Sequence, residues 1–232
     1  MRPILISIGT LLLSCLLAHL LPQVALADNA QNSFVGNDAC ESCHEAQVQD
    51  WTNSHHDLAM QEVNEQTVLG DFDNATFIYE GVTTTFFRKG GEYWVKTDNE
   101  SGELQDYRVA YVFGVYPLQQ LLLPLQNDRL NALSIAWDAR NASEGGQRWY
   151  HIYEDQEPVT SESPLHWTGV YHNWNSRCAE CHSTNVVKSY DGERREYTTT
   201  YDQIDVGCEA CHGPGSLHIE LATAGKVDRS QS

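Results

Sequence analysis

Basic residues are scarce in this sequence of 232 residues. Fourteen lysines and arginines stand against 32 aspartates and glutamates, and the formal net charge is −18 at pH 7. A surface this acidic repels nucleic acid and anionic membranes, so the charge argues against proteins that bind either of them. The negative charge would steer the protein toward a partner with a basic docking surface. The need for a well-hydrated surface explains the excess of acidic residues equally well.

Cysteine is absent from residues 44–177, which makes its placement elsewhere informative. Apart from Cys15, every cysteine belongs to one of three Cys-x-x-Cys-His pentads. The pentad is the attachment sequence of c-type haem, because two thiols one helical turn apart add to one edge of a porphyrin and the next histidine reaches the iron. The sequence therefore predicts three covalently attached haem c groups. The attachment residues are Cys40, Cys43, Cys178, Cys181, Cys208 and Cys211, with His44, His182 and His212 as proximal iron ligands.

Two other interpretations of the cysteine pairs explain less of the pattern. A closed zinc site uses four ligands, so two pairs would make one site and leave the third pair unexplained. Disulfides form in oxidising compartments, but such tight loops are more typical of exchange-active thiols. Neither interpretation gives a reason for a histidine after every pair.

A mostly apolar stretch opens the chain, and Arg2 is its only charged residue. Residues 4–21 are followed by Ala25-Leu-Ala27, which has the small residues of a cleavage site. This pattern predicts a signal peptide at residues 1–27, whose removal with Arg2 changes the net charge from −18 to −19. The alternative is an uncleaved membrane anchor, since the stretch approaches spanning length, but polar residues interrupt it. Export to the periplasm or another extracytoplasmic compartment agrees with the pentads, because c-type haem is attached outside the cytoplasm.

Three segments follow the predicted leader. Residues 28–70 carry the first pentad, and residues 154–232 carry the other two. Residues 71–153, between them, are predicted to form an antiparallel β insert. The insert has no catalytic constellation that we recognise, so we expect it to act as a scaffold. The predicted fold is α+β and forms one compact unit. Short helices and loops wrap around the haems, and the β insert lies between the first haem and the other two.

The local pattern predicts one helix and six or seven strands. The helix begins near Ala39, with Asn37 or Asp38 as its cap, and extends to Trp51. Short β-branched and aromatic runs separated by turn residues predict the strands. They are Thr76–Tyr79, Val82–Phe87, Tyr93–Thr97, Leu104–Phe113, Leu118–Leu125, Leu130–Trp137 and Trp149–Tyr153.

Few residues remain that can ligate iron opposite the pentads. Met60 is the only methionine besides Met1, so at most one haem can be ligated by histidine and methionine. Two or three bis-histidine haems are therefore expected, with comparatively low reduction potentials. Outside the leader and the pentads, six histidines compete for three distal positions. They are His55, His56, His151, His166, His172 and His218.

Chain length limits the haem that each candidate can reach. His55 follows the histidine of the first pentad by 11 positions, or about 16 Å along a helix, so His55 or His56 would ligate a different haem. His218 follows the histidine of the third pentad by six positions, a tight span around a porphyrin, so it would reach a neighbouring haem. His166 and His172 precede the second pentad, and each is either a distal ligand or a packed histidine.

Two motifs resemble a known family. Trp51-x-x-Ser-x-His56 after the first pentad and Gly-Pro-Gly-Ser-x-His218 after the third are similar to motifs of the multihaem cytochromes related to the tetrahaem electron carrier of ammonia oxidisers. The resemblance covers residues 34–220 and implies bis-histidine ligation across closely packed haems, with His56 and His218 as distal ligands. The chain departs from the family in having three pentads and no helical repeats after residue 220. Residues 113–120, 133–138, 146–149 and 166–169 resemble a bacterial subgroup whose longer members append tetratricopeptide repeats.

The sequence favours an electron carrier over an enzyme. We expect an exported three-haem cytochrome that exchanges electrons with redox proteins, between a quinol-side donor and a terminal reductase or extracellular acceptor, without a membrane anchor after cleavage. The alternative is a small multihaem oxidoreductase, in which one five-coordinate haem acts on a nitrogen or sulfur oxyanion. A third hypothesis is that the chain is the haem-bearing part of a larger protein or assembly.

Covalent attachment gives the first test. Protein matured in a host that assembles c-type cytochromes should have the mass of the polypeptide plus three haems, measured by intact mass spectrometry. Replacing both Cys208 and Cys211 by alanine should lower the count to two, because each pair holds one porphyrin. A colourless product with the mass of the bare polypeptide would refute the interpretation of the pentads.

Overall fold

The structure, a computed structural model, describes residues 32–227, and the predicted leader lies outside them. The fold of the described residues is α+β, as the sequence predicted. Short helices carry the pentads and antiparallel strands fill the middle of the chain. The helices are α1 (Asp38–Trp51), α2 (Trp174–Arg177), α3 (Ala179–His182), α4 (Cys208–His212) and α5 (Ser216–Thr223). The strands are β1 (Met60–Glu62), β2 (Ala75–Tyr79), β3 (Val82–Lys89), β4 (Glu92–Asp98), β5 (Leu104–Arg108), β6 (Tyr111–Phe113), β7 (Leu118–Pro124), β8 (Leu130–Ala132), β9 (Ile135–Asp138), β10 (Arg148–His151), β11 (Tyr190–Asp191) and β12 (Glu196–Tyr197).

The strands form two larger antiparallel sheets and one small hairpin. The first sheet is the meander β2-β3-β4-β5, and the second has the order β1-β6-β7-β9-β10, with β8 paired to β7. β11 and β12 form the hairpin. The predicted strands within residues 75–98 are confirmed. Gly90 and Gly91 join β3 to β4 with φ of 63° and 85°, which is the left-handed backbone that a two-residue hairpin turn requires.

Two strand predictions were wrong, the first because the chain changes sheet within the predicted strand and the second because the chain breaks between two strands of the same sheet. Residues 104–113 were predicted as one strand, but β5 belongs to the first sheet and β6 to the second. At the change, the Val109 N–H donates to Tyr93 O, and the next N–H, of Ala110, donates to Leu122 O, both at 2.9 Å. Residues 130–137 similarly divide into β8 and β9. The sequence also gave no sign of β1, which is three residues long and pairs with β6.

An aromatic core lies among the strands and is built from side chains of both sheets. Phe86 of β3 stacks on Trp149 of β10, with ring centroids 3.7 Å apart and planes 3° from parallel. The Trp149 indole N–H donates to Asp71 O at 3.1 Å. A side chain at Gly70 would meet the same indole, since a Cβ there would lie 2.4 Å from a ring carbon. The β region therefore has an apolar core composed entirely of protein side chains.

The helices pack very differently from the strands. α1 and α5 bury none of their own side chains within the described part of the chain. The second pentad is better anchored, because Trp174 and Ala179 join a smaller apolar cluster with Met60, Phe113 and Leu122 of the second sheet. None of the helices within residues 32–227 has the length and apolarity needed to cross a membrane.

A truncated side chain at the centre of the strand core tests whether the strands hold the apolar core of the protein. Leu121 on β7 is fully buried, so Leu121→Ala should lower the free energy of unfolding by about 2–5 kcal/mol through lost burial and a cavity. Ile78 on β2 is 68 % exposed, and Ile78→Ala should change it by less than about 0.5 kcal/mol. Equal losses in the two variants, measured by denaturant titration, would contradict the core described here.

Candidate functional site

The first pentad faces α5 across a cavity. The cavity has a volume of about 790 Å³ and is lined by Cys40, Cys43 and His44 of α1 and by His218 of α5, among others. Sites for small ligands and cofactors in proteins typically have volumes of about 300–1,000 Å³. The cavity is therefore large enough for a prosthetic group, and the reactive side chains of the pentad lie in its wall.

Two histidines from opposite walls of this cavity approach each other. The imidazole centroids of His44 and His218 are 6.2 Å apart, with the ring planes tilted by 31°. Two imidazoles that bind one metal ion, each through a nitrogen about 2 Å from it, have centroids roughly 6 Å apart. The backbone of His44 leaves helical geometry, with φ of −125° and ψ of 40°, and so kinks α1 at this residue. Two thiols and two facing imidazoles are the groups that a bis-histidine haem c would need, the thiols for its thioether bonds and the imidazoles for its iron.

The second pentad is fixed by a hydrogen bond from its histidine. The His182 Nδ1–H donates to Ala59 O at 3.1 Å, which leaves Nε2 free of that bond. Metal-ligating histidines commonly donate the other ring N–H to a carbonyl in this way. The Phe113 ring meets the His182 ring edge to face at 5.2 Å. The Trp174 indole N–H is buried without a partner among the described residues, and a haem propionate is an acceptor of the kind it lacks.

The third pentad lies against the first. Asn37 is the N-cap residue of α1, as predicted, but its side chain makes no cap bond to that helix. Its side-chain oxygen instead accepts from the Cys208 N–H at 2.8 Å. The thiol of Cys208 lies close enough to that of Cys40 to affect its pKa. Burial raises the pKa of the Cys40 thiol, and the neighbouring Cys208 raises it further. The attachment points of the predicted first and third haems are therefore adjacent.

The segment that follows α1 touches both of the later pentads. The Trp51 indole N–H donates to Val206 O at 2.9 Å, and the Val206 N–H donates to His56 O at 3.2 Å. Three residues beyond His56, Ala59 supplies the carbonyl that His182 binds. His55 and His56 are both exposed. The structure thus brings these two candidate ligands near the second and third pentads.

His166 and His172 are instead buried in the β region. His166 Nε2–H donates to Asp98 at 3.2 Å, and its Nδ1 is hydrogen-bonded to the Thr168 hydroxyl at 2.8 Å. His172 Nε2–H donates to Leu165 O at 3.1 Å. To ligate iron, either ring would have to give up these partners. The arrangement favours exposed histidines as distal ligands over these two.

His151 is buried beside them. Its ring stacks on Tyr79 with centroids 3.8 Å apart, and its Nδ1 accepts from the Tyr153 N–H at 3.3 Å. Burial, with smaller contributions from His172 and His166, lowers the pKa of His151 to about 4. Met60 is also enclosed: its sulfur accepts from the Ser183 hydroxyl at 3.6 Å. These contacts give both residues a packing role.

Sequence reasoning missed the groups that hold the pentads in place. The Ala59 carbonyl has no sequence signature at all. Asn37 has one, since an Asn before a helix suggests a cap, but its oxygen serves a pentad 171 residues away. Within residues 32–227, no three histidine, cysteine or acidic side chains converge as a metal site formed by protein alone. The site is instead built from cysteine pairs and separate imidazoles, which is the chemistry of haem attachment.

Two comparisons with known proteins agree with this chemistry. The model of the family "Cytochrome c554 and c-prime" matches residues 39–76 and 139–213, together just under half of the chain. These ranges contain all three pentads. We found no curated protein with significant sequence similarity to the chain.

A solved structure shares the fold. The crystal structure of the outer cell wall cytochrome OcwA matches with a TM-score of 0.50 and 21 % identity, over 82 % of this chain and 34 % of that one. The chain thus spans about a third of the length of that cytochrome. The family match, the fold match and the pentads together support a multihaem c-type cytochrome.

Acid titration tests the assignment of His151 to the core. The unfolded chain binds a proton on this residue near pH 6.5, whereas the folded protein binds it near pH 4. Its contribution to stability is therefore complete above pH 6.5 and is lost as the pH falls toward 4. His151→Gln should flatten the dependence of the unfolding free energy on pH across this window. An unchanged slope in His151→Gln would contradict the assignment.

Proposed function

We propose that this chain, a multihaem c-type cytochrome, is an exported electron carrier with three covalent haems that are mainly ligated by two histidines each. Within the multihaem cytochromes, we propose a relation to the tetrahaem carriers of ammonia oxidisers, whose motifs its residues around His56 and His218 resemble. Haem iron that cycles between the ferric and ferrous states would supply the chemistry. The described residues would hold each cofactor, fix its axial ligands and set the spacing between the attachment points.

The facing pair His44 and His218 carries the proposal. Their 6.2 Å separation suits one iron between two imidazoles, and the wall of the same cavity contains Cys40 and Cys43. An iron with two protein ligands has no open position for a substrate. The pair therefore favours electron transfer over catalysis at the first haem.

The spacing of the pentads favours the same function. The hydrogen bond from Cys208 N–H to Asn37, at the start of the helix that carries Cys40, would place the first and third cofactors side by side. The segment 51–59 is hydrogen-bonded to the approach to the third pentad and to His182 of the second. Electrons would therefore have only short distances to cover between cofactors. We propose His56 on this segment as a distal ligand of the second or third haem.

Export and partners follow from the sequence. The predicted leader and the covalent haems require an extracytoplasmic compartment such as the periplasm, and the named location of the cytochrome OcwA, the outer cell wall, is of the same kind. The acidic surface, with a net charge of −18, favours redox partners whose docking faces are basic.

Changing the proposed distal ligands should change individual potentials. His218→Met should raise the midpoint potential of one haem, and His56→Met that of another, because methionine opposite histidine raises haem potentials. His55→Met is the matched control and should leave all three potentials unchanged. A redox titration in which His218→Met has three unaltered potentials would exclude His218 as an iron ligand.

Ligand binding separates the carrier from the alternative, an oxidoreductase with one five-coordinate haem. A carrier should show only low-spin ferric spectra that do not change on addition of cyanide or nitrite. A high-spin component that disappears on addition of either ion would support the oxidoreductase and contradict the proposed carrier.

A further inference from the structure

A buried carboxylate lies inside the third pentad. Glu209, directly after Cys208, is only 4 % exposed. Its Oε2 accepts from the Val35 and Gly36 N–H groups at 2.9 and 2.8 Å. Its Oε1 accepts from the Gly215 N–H at 2.7 Å and shares the Val35 N–H at 3.0 Å. An acceptor-only carboxylate matches these donors, whereas a protonated carboxyl or an amide would turn a hydrogen toward one of them.

The first pentad shows that this burial is not required by the pentad itself. Glu41 has the same position there, directly after Cys40, but it is exposed and makes no side-chain hydrogen bond within the described residues. The attachment chemistry therefore needs no acid at this position. Glu209 is held by contacts outside its own pentad, and the two glutamates form a matched pair.

The three amides belong to the two segments that lead into the histidine pair. Val35 and Gly36 lie just before Asn37, the N-cap residue of α1, which carries His44. Gly215 is the N-cap residue of α5, which carries His218. Gly36 has a φ of +82°, in the left-handed region that favours glycine, and this backbone turn presents its N–H to the carboxylate. One side chain thus ties the starts of both helices to the third pentad.

Further bonds join the same two segments without involving Glu209. The Ser33 N–H donates to the Ser216 hydroxyl at 2.8 Å, and the Ser216 N–H donates to Ser33 O at 3.2 Å. Asn32 donates to Pro214 O at 2.7 Å. The carboxylate is the buried end of this connection, and the serine and asparagine contacts lie at its exposed end.

The negative charge of Glu209 lies beside the first attachment site. None of the ion pairs among residues 32–227 includes it. It is close enough to Cys40 to contribute, after burial and Cys208, to the raised pKa of that thiol. A buried negative charge near a haem favours the ferric state, because ferric iron has one more positive charge than ferrous iron.

We propose that Glu209 is a positioning residue that holds His218 opposite His44 and lowers the reduction potential of the haem attached at Cys40 and Cys43. This inference rests on the proposed function, since it assigns a role toward the haem of that same site. The carboxylate fixes the geometry through the amides and adjusts the potential through its charge.

The test compares Glu209→Gln with Glu41→Gln in protein shown by mass to carry three haems. Both variants remove one negative charge, but only the first changes the buried network. Glu209→Gln should raise one midpoint potential above its wild-type value and add a high-spin ferric component, as His218 loses its fixed position. Glu41→Gln should match the wild-type protein in both measurements. Unchanged potentials and spectra in Glu209→Gln, or equal shifts in the two variants, would overturn the proposal.

If Glu209→Gln does not mature, a measurement on the wild-type protein still tests the proposal. Hydrogen–deuterium exchange followed by mass spectrometry should show slow exchange in peptides covering Val35, Gly36 and Gly215. Exchange there as fast as in an exposed loop would overturn the proposal. The proposed function fails separately, because wild-type protein without covalent haem would end it before either measurement is made.

Discussion

A single turn of helix can present two thiols and one imidazole to one side of a cofactor, and it can present nothing to the other side. This limit governs the arrangement of the chain around its pentads. The second imidazole must come from another segment, and that segment must be held at a fixed distance. At the first pentad, α5 supplies His218 at 6.2 Å from His44. Hydrogen bonds between residues 32–37 and residues 207–217 join the segments that lead into these two helices.

The β region divides the histidines of the protein into two groups. His151, His166 and His172 are buried in a protein core that is complete without any cofactor, and their ring nitrogens have protein partners. His44, His56 and His218 are exposed on segments that bury little of their own surface. A packed histidine would lose its hydrogen bonds if it ligated a metal. An exposed imidazole that faces a second imidazole could ligate a metal without that loss. Burial therefore separates the packed histidines from those proposed as ligands where residue type does not.

The contacts between segments explain how three short helices can act as one unit. Each pentad helix is five residues or fewer, or kinks at its histidine, so none of them is stable through its own backbone. Each is instead fixed by a group from far along the chain: the Ala59 carbonyl for His182, Asn37 for Cys208 and the Glu209 carboxylate for the segments beside it. These are polar contacts that fix position. The apolar contacts on which folding depends are concentrated in the strands and in the small cluster around Trp174.

Sequence alone determined the α+β class and most of the strands, and it predicted the cofactor chemistry and the proximal ligands. These follow from local rules, because a pentad is read within five residues and a strand within about eight. It misjudged residues 104–113 because consecutive amides there bond to strands of different sheets, which no local pattern records, and it missed the break between β8 and β9, which both pair with β7. It could not separate six candidate histidines, and it offered no reason to distinguish Glu41 from Glu209, each of which directly follows the first cysteine of its pentad. Only the tertiary structure decided which imidazole faces His44 and which of the two glutamates is buried, because both depend on segments more than 170 residues apart in the chain meeting in space.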